Sequence, residues 1–365
     1  MSRPIQKLKE KSEAFLRRYL ENASPTGFEA PGQKIWLEYI RPYVDTYEVD
    51  NYGTVYGIIN PEASYKVVIE AHADEISWFV NFITKEGYLK VIRNGGSDHI
   101  IAPSKRVNIH TRANGIVRGV FGWPAIHTRT REKSKLYPTV DNIFIDIGAK
   151  DREEVQQMGV QVGDVLTYGD GLEFLNNRYY TGRALDNRIG GFCIAEVTRL
   201  LHENKIRLPF GLYIVNSVQE EVGLRGAQMI TNTIKPDVAI VVDVSHNTQT
   251  PLVSNEKHGD IKGGEGPDLC VAPAVHRKLL DLLMATAEEK EIKYQLSASS
   301  RTTGTDTDAF AYSNGGVPSA LISLPLKYMH TTVEMAHKDD VISVIRLIYE
   351  SLQKIENNHD FRYFT

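Results

Sequence analysis

The distribution of apolar and polar residues divides the second half of the chain into alternating strands and helices. Short apolar runs over 210–216, 238–242 and 319–323 have the length and the turn-bounded ends of buried strands. Longer segments near 275–289 and 339–356 repeat apolar side chains at helical spacing. This alternation predicts an α/β fold.

The first 75 residues show the beginning of the same pattern. Helical periodicity covers 5–21 and 30–40, and an extended segment follows around a turn at 51–53. The apolar run 65–70 then predicts a buried strand. We therefore expect this part of the chain to belong to the same α/β unit as the second half.

Between residues 76 and 171 the pattern changes to short β-rich pieces separated by Gly, Asn, Pro and Asp, with one helix predicted near 151–158. Regularly spaced strands with turn signals predict a small β-barrel or sandwich. Because the α/β pattern resumes afterwards, we expect residues 76–171 to be an insertion into a domain formed by 1–75 and 172–365. A basic run at 128–135 is expected to be a solvated loop.

Composition and charge limit the classes of protein to which the chain can belong. The chain has 365 residues, of which 42% are hydrophobic and 24% are charged, with a formal net charge of -4. A nucleic-acid partner would favour a cationic excess, which is absent. No apolar run approaches the ~20 residues of a membrane helix, and no secretory signal is apparent, so we expect a cytoplasmic protein. Cys193 and Cys270 lie in apolar contexts that predict buried free thiols and a reducing compartment.

Two adjacent carboxylates, Glu220 and Glu221, follow the predicted strand 210–216 and precede Gly223 and Gly226. Adjacent carboxylates repel each other and raise each other's pKa, so they are costly at the end of a buried strand. A glycine-containing turn there lets neighbouring side chains point toward one place. Glu221 could then be a metal ligand and Glu220 a general base acting on metal-bound water. The alternative is a solvated pair that opens a helix, where acidic residues suit the dipole.

A histidine and two aspartates give a second group of candidates. His72 and Asp74 follow the predicted strand 65–70, and their spacing puts both on one face of an extended chain. A carboxylate beside a metal-binding histidine commonly orients the ring, although a lone His-x-Asp is weak evidence. Asp186 directly precedes a predicted helix and could equally be its N-cap.

Taken together, four predicted buried strands each lead into a potential ligand, and sites in open α/β sheets form outside the carboxyl ends of the strands. Nitrogen and oxygen ligands without thiolate suit two Zn²⁺ or Co²⁺ ions, and ions about 3.5–4 Å apart need a bridging carboxylate. Each residue alone has an ordinary structural explanation, but five at equivalent positions do not share one. The five candidates are His72, Asp186, Glu221, Asp243 and His330.

These motifs, in this order, resemble the tetrahedral (TET) aminopeptidases, which are glutamyl- and deblocking-aminopeptidase-type metallopeptidases with some endoglucanase-labelled relatives. The resemblance runs over nearly the whole chain. It implies a three-layer α/β/α catalytic domain of the zinc-exopeptidase type with an inserted small β-barrel. The motifs that carry it are His72-x-Asp74, Gly182–Arg188, Gln219–Gly223, Val242-Asp243 and Tyr328-Met329-His330.

The resemblance also implies a role for each ligand. Asp186 would bridge two divalent ions, with Zn²⁺ or Co²⁺ expected. His72 and Asp243 would complete one metal site, and Glu221 and His330 would complete the other.

The same resemblance implies the reaction and the partners. Glu220 would take a proton from a bridging metal-bound water and pass it to the leaving amine, while Asp74 would hold His72 in the ligand tautomer. The substrates would be short peptides with a free N-terminus, cleaved one residue at a time. The inserted segment 76–171 would make dimer contacts, and the dimers would assemble into a homo-oligomer such as a dodecamer.

Other functions remain open at this point. The same metals could serve a deacylase or carboxypeptidase, and a non-catalytic metal-binding assembly protein could keep the fold. Glycosidic cleavage by two carboxylates would leave the two histidines without a task. The sequence fixes neither the side-chain preference, nor the native metal, nor the oligomer size. His246 could reach the site or be structural, and His127 and His276 are expected at the surface or in packing roles.

Overall fold

The computed structural model describes residues 8–112, 115–129 and 136–364. The first residues of the helix predicted over 5–21 and most of the basic run 128–135 lie outside the described residues. The helices in the described part are α1 Glu10–Glu21, α2 Ala30–Ile40, α3 Arg152–Gln157, α4 Leu185–Glu203, α5 Arg225–Ile234, α6 Asn255–His258, α7 Arg277–Glu289, α8 Thr307–Ala311 and α9 Lys338–Leu352.

The strands form one large mixed sheet and one closed barrel. The strands are β1 Thr46–Val49, β2 Val55–Ile59, β3 Lys66–His72, β4 Ser77–Ile83, β5 Leu89–Asn94, β6 Arg106–Thr111, β7 Gly115–Gly122, β8 Phe144–Asp146, β9 Val165–Tyr168, β10 Glu173–Leu175, β11 Tyr179–Gly182, β12 Gly211–Ser217, β13 Val238–His246, β14 Asp268–Val271, β15 Gln295–Ala298, β16 Ser319–Lys327 and β17 Glu334–His337.

The large sheet has a parallel centre and antiparallel edges. Its order is β1-β2-β12-β3-β13-β16-β17-β11-β10, with β14 paired to β16 and to β15. Strands β12, β3, β13 and β16 run parallel, so their carboxyl ends lie at one edge. Parallel strands covered on both faces are expected to be continuously apolar. In agreement, every residue of β12 is buried, and so are all but the last of β16.

Helices cover both faces of this sheet. Helix α4 contacts β3 and β13, and α9 contacts α4, α7 and β16. Helices α5 and α8 contact each other, and α8 also contacts β13 and β16. The predicted three-layer α/β/α class is confirmed.

The barrel is made by strands β4-β5-β8-β7-β6-β9, which all fall between residues 77 and 168. Its hydrophobic core, which includes Trp78, Phe121 and Leu166, is separate from the core of the large sheet. The predicted small β-barrel is therefore present. A role for it in dimerisation stays a prediction.

Several predicted boundaries were wrong. Helix α1 begins at Glu10, because residues 8 and 9 are not helical. Strand β16 continues to Lys327 rather than ending at 323, and β13 continues to His246 rather than ending at 242. These two strands pair with each other along the added residues. Pro325 lies within this paired region, although a proline suggests a strand end when only the sequence is known.

Two further expectations concern membranes and thiols. Within the described residues, no helix is both long and apolar enough to cross a bilayer. Cys193 and Cys270 are free and buried, which confirms that prediction. The cytoplasmic location stays a prediction.

Candidate metal centre

Strand β3 ends at His72, and Asp74 lies two residues further on. The Nδ1 atom of His72 is 3.3 Å from Asp74 Oδ1. Asp74 is fully buried, and its oxygens also accept hydrogen bonds from the backbone N–H groups of Glu220 (3.0 Å) and Glu221 (3.2 Å). One carboxylate thus contacts the histidine ring and the turn that carries both glutamates.

Asp186 lies in the first turn of α4, but its own backbone is not helical. Its peptide bond to Asn187 is cis. Asp186 and Asn187 form a kink before the regular part of the helix, as residues at an N-cap position would. The Asp186 carboxylate, however, lies between two histidines: Oδ1 is 3.3 Å from His72 Nε2, and Oδ2 is 3.2 Å from His330 Nε2.

A tight turn after β12 presents the two glutamates. Residues Glu220–Val222 form a single 3₁₀ turn, with Gly223 after it at a φ of 114°. A φ of this kind is accessible mainly to glycine, which explains the residue at this position. Glu221 Oε1 lies 3.4 Å from His330 Nε2, and Glu220 Oε2 lies 3.9 Å from His72 Nε2. The carboxylates therefore converge rather than opening a solvated helix.

The last two candidates come from β13 and from the turn after β16. Asp243 lies inside β13, not beyond its end as predicted, and its Oδ1 is 3.9 Å from His72 Nε2. His330 follows β16 by three residues and has a φ of 61°. All the predicted site residues thus lie in one cluster.

The potential metal-ligand atoms of this cluster form three groups, and the atoms of each group lie within 4.8 Å of one another. Asp186 belongs to two of them, with His72 and Asp243 on one side and with Glu221 and His330 on the other. The third group joins His72 to both glutamates. A carboxylate shared by two donor groups is the arrangement that two adjacent cations require.

The spacing of the donors fits metal ligation. Ligand atoms bound tetrahedrally at about 2.0–2.1 Å from one Zn²⁺ are separated by about 3.3 Å. The contacts of Asp186 with His72 and His330, and that of Glu221 with His330, lie between 3.2 and 3.4 Å. Nitrogen and carboxylate donors suit Zn²⁺, Co²⁺ or Mn²⁺.

The buried charges perturb one another strongly. Burial, together with Asp243 and other neighbouring carboxylates, raises the pKa of Glu220 to about 10. Burial also raises the pKa of Asp243 well above its usual value. Although burial opposes it, hydrogen bonds to Asp186 and Glu221 raise the pKa of His330 to about 11. So many buried acids side by side are costly unless cations compensate them.

Two supporting features were missed by the sequence reasoning. Glu334, buried on β17, accepts hydrogen bonds from the backbone N–H groups of Asp186 (3.1 Å) and His330 (2.8 Å). Gly96, in the connection after barrel strand β5, lies so close to His330 that an added Cβ would be 2.6 Å from its ring. The neighbouring glycine Gly95 similarly approaches Glu221. In the sequence, Glu334 lies four residues after His330, and Gly96 belongs to a Gly-Gly pair. Neither feature indicates that the residue contacts a distant part of the chain.

A cavity of about 1000 Å³ opens beside the cluster. His246 lines it, with its ring centroid 6.3 Å from that of His258, but it is not among the grouped ligand donors of the described residues. His276 stacks on Tyr363 at 4.4 Å, in a packing role as expected. His127 lies in an exposed turn of the barrel.

Comparison with known proteins places this arrangement in a family. A model described as M42 glutamyl aminopeptidase matches residues 53–347. The chain is 31% identical over 345 residues to the lysyl aminopeptidase of Pyrococcus furiosus, covering 94% of this chain and 97% of that protein. The chain therefore belongs to the M42 glutamyl aminopeptidase family, and it is a hydrolase.

Solved structures agree with this assignment. A TET aminopeptidase from a marine sediment archaeon of the Thaumarchaeota superposes with a TM-score of 0.91 at 31% identity, covering 95% of this chain and 97% of that one. The TET1 peptidase of Pyrococcus horikoshii gives 0.82 at 28% identity, covering 93% and 98%. The predicted resemblance to TET aminopeptidases is confirmed.

Proposed function

We propose that this chain is a metal-dependent aminopeptidase that binds two divalent cations and removes N-terminal residues from short peptides. The observation that carries the proposal is the position of Asp186, with one oxygen toward His72 and the other toward His330. His72 and Asp243 would hold one ion, Glu221 and His330 the other, and Asp186 both. When bound, such ions polarise a carbonyl and make water more acidic.

Glu220 is the group best placed to move a proton. The Glu220 carboxylate lies near His72, but it belongs to neither of the two donor groups that contain Asp186. Burial and the neighbouring carboxylates raise its pKa, and nearby cations would lower that pKa toward the working range of a general base. Glu220 would accept a proton from the attacking water and return it to the leaving amine.

Asp74 is a positioning residue in this proposal. Its contact with Nδ1 of His72 leaves Nε2 facing the cluster, and its bonds to the turn fix Glu220 and Glu221. A carboxylate that orients a ligand histidine in this way also makes the ring a better donor. Thr26 donates a further hydrogen bond at 2.9 Å that fixes the carboxylate itself.

The proposal is tested by stripping the protein with a chelator and assaying leucyl-anilide and N-acetyl-leucyl-anilide before and after Zn²⁺ or Co²⁺ is restored. We expect metal-restored cleavage of the free-amine substrate only. Glu220→Gln should lower kcat by about 10³-fold, within the range of general-base contributions, while metal content is unchanged. Cleavage of the acetylated substrate instead would favour a deacylase and contradict the aminopeptidase.

We also propose that the barrel contributes to a homo-oligomer. Its surface exposes several apolar side chains, including Phe82, Ile92 and Ile116. The Pyrococcus horikoshii TET1 peptidase assembles into a tetrahedron or an octahedral shell. Light scattering after gel filtration should give a multiple of the 41.1 kDa chain, and a monomer would overturn this proposal.

A further inference from the structure

Three consecutive backbone N–H groups at the turn after β12 donate hydrogen bonds to carboxylates. Those of Glu220 and Glu221 donate to Asp74, at 3.0 and 3.2 Å. The N–H group of the preceding residue, Gln219, donates to Oε1 of Glu29 at 3.2 Å. Hydrogen bonds to an ionised acceptor are shorter and stronger than neutral ones. Two carboxylates from different parts of the chain therefore hold the backbone that carries both glutamates.

Gln219 has a backbone conformation that needs such support. Its φ is 58°, in the left-handed region that residues other than glycine adopt only rarely. Its N–H group donates to Glu29, and its carbonyl accepts a hydrogen bond from the N–H group of Arg225 at 3.1 Å. Strained backbone persists where its surroundings over-determine it, and it is concentrated at functional sites. Because Glu220 is the next residue, the direction of its side chain depends on the conformation of Gln219.

The segment that carries Glu29 is itself fixed beside Asp74. The N–H group of Thr26 donates to the carbonyl of Glu75 at 3.2 Å, and the N–H group of Glu75 donates to the carbonyl of Ser24 at 3.0 Å. The hydroxyl of Thr26 also donates to Asp74 at 2.9 Å. The two carboxylates that hold the turn are thus joined to each other by short, direct contacts.

Helix capping does not account for the position of the Glu29 carboxylate. Glu29 directly precedes α2, where a negative charge suits the helix dipole. Its side chain nevertheless makes no capping hydrogen bond to the described residues of α2, and it accepts from the N–H groups of Gly27, at 2.7 Å, and Gln219. Burial, together with Asp74, raises the pKa of Glu29 to about 7. A carboxylate at this place is therefore costly, and its contacts lead to the turn and not to its own helix.

We propose that Glu29 is a positioning residue that holds Gln219 in its left-handed conformation and thereby directs the side chain of Glu220 toward the metal cluster. This inference rests on the proposed aminopeptidase function. It adds a residue from the start of α2 to those that set up the proton transfer.

Two substitutions in the metal-loaded protein separate the reach of Glu29 from its charge. Glu29→Gln keeps the length of the side chain and an acceptor oxygen, so it should retain most of kcat for leucyl-anilide. Glu29→Asp keeps the charge but is one methylene shorter. It should lower kcat by about 10- to 100-fold, because small misplacements of a reacting group are costly, with KM and metal content unchanged. Glu38→Asp, at an exposed position of α2, should behave as wild type.

The Glu220→Gln background shows whether Glu29 acts through Glu220. The general base is absent there, so Glu29→Asp should change the residual kcat by less than about twofold. A residue that only stabilises the fold would lower kcat by the same factor in both backgrounds, because independent effects add as free energies. Aspartate is also a preferred residue directly before a helix, so we expect Glu29→Asp to fold.

Each outcome bears on one of the two proposals. An unchanged kcat in Glu29→Asp, a larger loss in Glu29→Gln than in Glu29→Asp, equal losses in both backgrounds, or a loss of bound metal would overturn the positioning role and leave the aminopeptidase standing. If Glu29→Asp does not fold, Glu29→Gln still decides, since a loss of about 100-fold there would contradict the proposal. Wild-type kcat in Glu220→Gln would overturn the proposed general base, and this inference with it.

Discussion

His72 and Asp243 reach the candidate metal centre from strands of the central sheet, whereas Glu221 and His330 reach it from turns. The side chain of His72 is 2% exposed, and Asp74 contacts its ring. The side chain of His330 is 32% exposed, and its backbone has a positive φ. The sheet half of the centre is thus buried, whereas the turn half, in which Glu221 is only 6% exposed, depends on how two turns are held.

Support for the turn half comes from outside the parallel strands. Glu334 of β17 binds the backbone of His330, and Gly96 of the barrel connection lies against its ring. The connection after barrel strand β5 therefore lies against the site. We expect the sheet half to be preorganised for its cation and the turn half to bind its cation more weakly, because flexible ligands must be ordered on binding.

The largest expected effect is the loss of activity on replacing each of the two histidines, and the two variants should respond differently to added metal. His72→Ala should lower kcat/KM by about 10³-fold or more at every metal concentration, because a metal site with several kcal/mol of transition-state stabilisation is lost. His330→Ala should lose activity to a similar extent at low metal but regain part of it when Zn²⁺ or Co²⁺ is raised. Activity measured against free metal concentration checks this. Equal losses of activity that added metal restores in neither variant would contradict the difference between the two halves of the centre.

A smaller effect is expected where the barrel meets the turn half. Gly96→Ala places a Cβ against the His330 ring and should displace it, and displacements of about 1 Å can cost about 10²-fold in rate. Gly171→Ala is the matched control, because an added Cβ there meets only Cγ of Glu21, at the ordinary contact distance of 4.0 Å. Steady-state kinetics of both variants would show the loss of rate in Gly96→Ala and its absence in Gly171→Ala. Wild-type activity in Gly96→Ala would mean that the barrel contact does not position His330.

The smallest effect, about tenfold for each pH unit and each proton released, is on metal affinity. Burial opposes protonation of His72 and His330, but hydrogen bonds to Asp186 and other carboxylates raise the pKa of both rings above the usual value. Below those pKa values each ring holds a proton that a cation must displace, so metal affinity should fall as pH falls. Isothermal titration with Zn²⁺ between pH 8 and pH 6 should show about a tenfold loss per unit for each proton released. Affinity independent of pH would contradict the assigned ligands.

The fold class and the candidate residues were predictable because each depends on short-range patterns. The apolar run before His72 and the glycines after Glu221 indicate a strand end and a turn from neighbouring residues alone. The position of Asp243 inside its strand was not predictable, because β13 is prolonged by pairing with β16.

The remaining parts of the site depend on contacts between distant segments. Glu334 accepts hydrogen bonds from two backbone N–H groups, one of them 148 residues away, and Gly96 lies against His330 from the connection after barrel strand β5. Neither residue stands in a local pattern that marks it as part of the site. Such residues become visible only when the sheet order is known.

The central claim is that Asp186 is shared by two cations, and anomalous X-ray diffraction from zinc-loaded crystals tests it most directly. We expect two zinc peaks about 3.5–4 Å apart, one beside His72 and Asp243 and the other beside Glu221 and His330, with the Asp186 carboxylate between them. The peak beside His330 should have the lower occupancy when zinc is limiting. A single peak, or two peaks that do not share Asp186, would contradict the account.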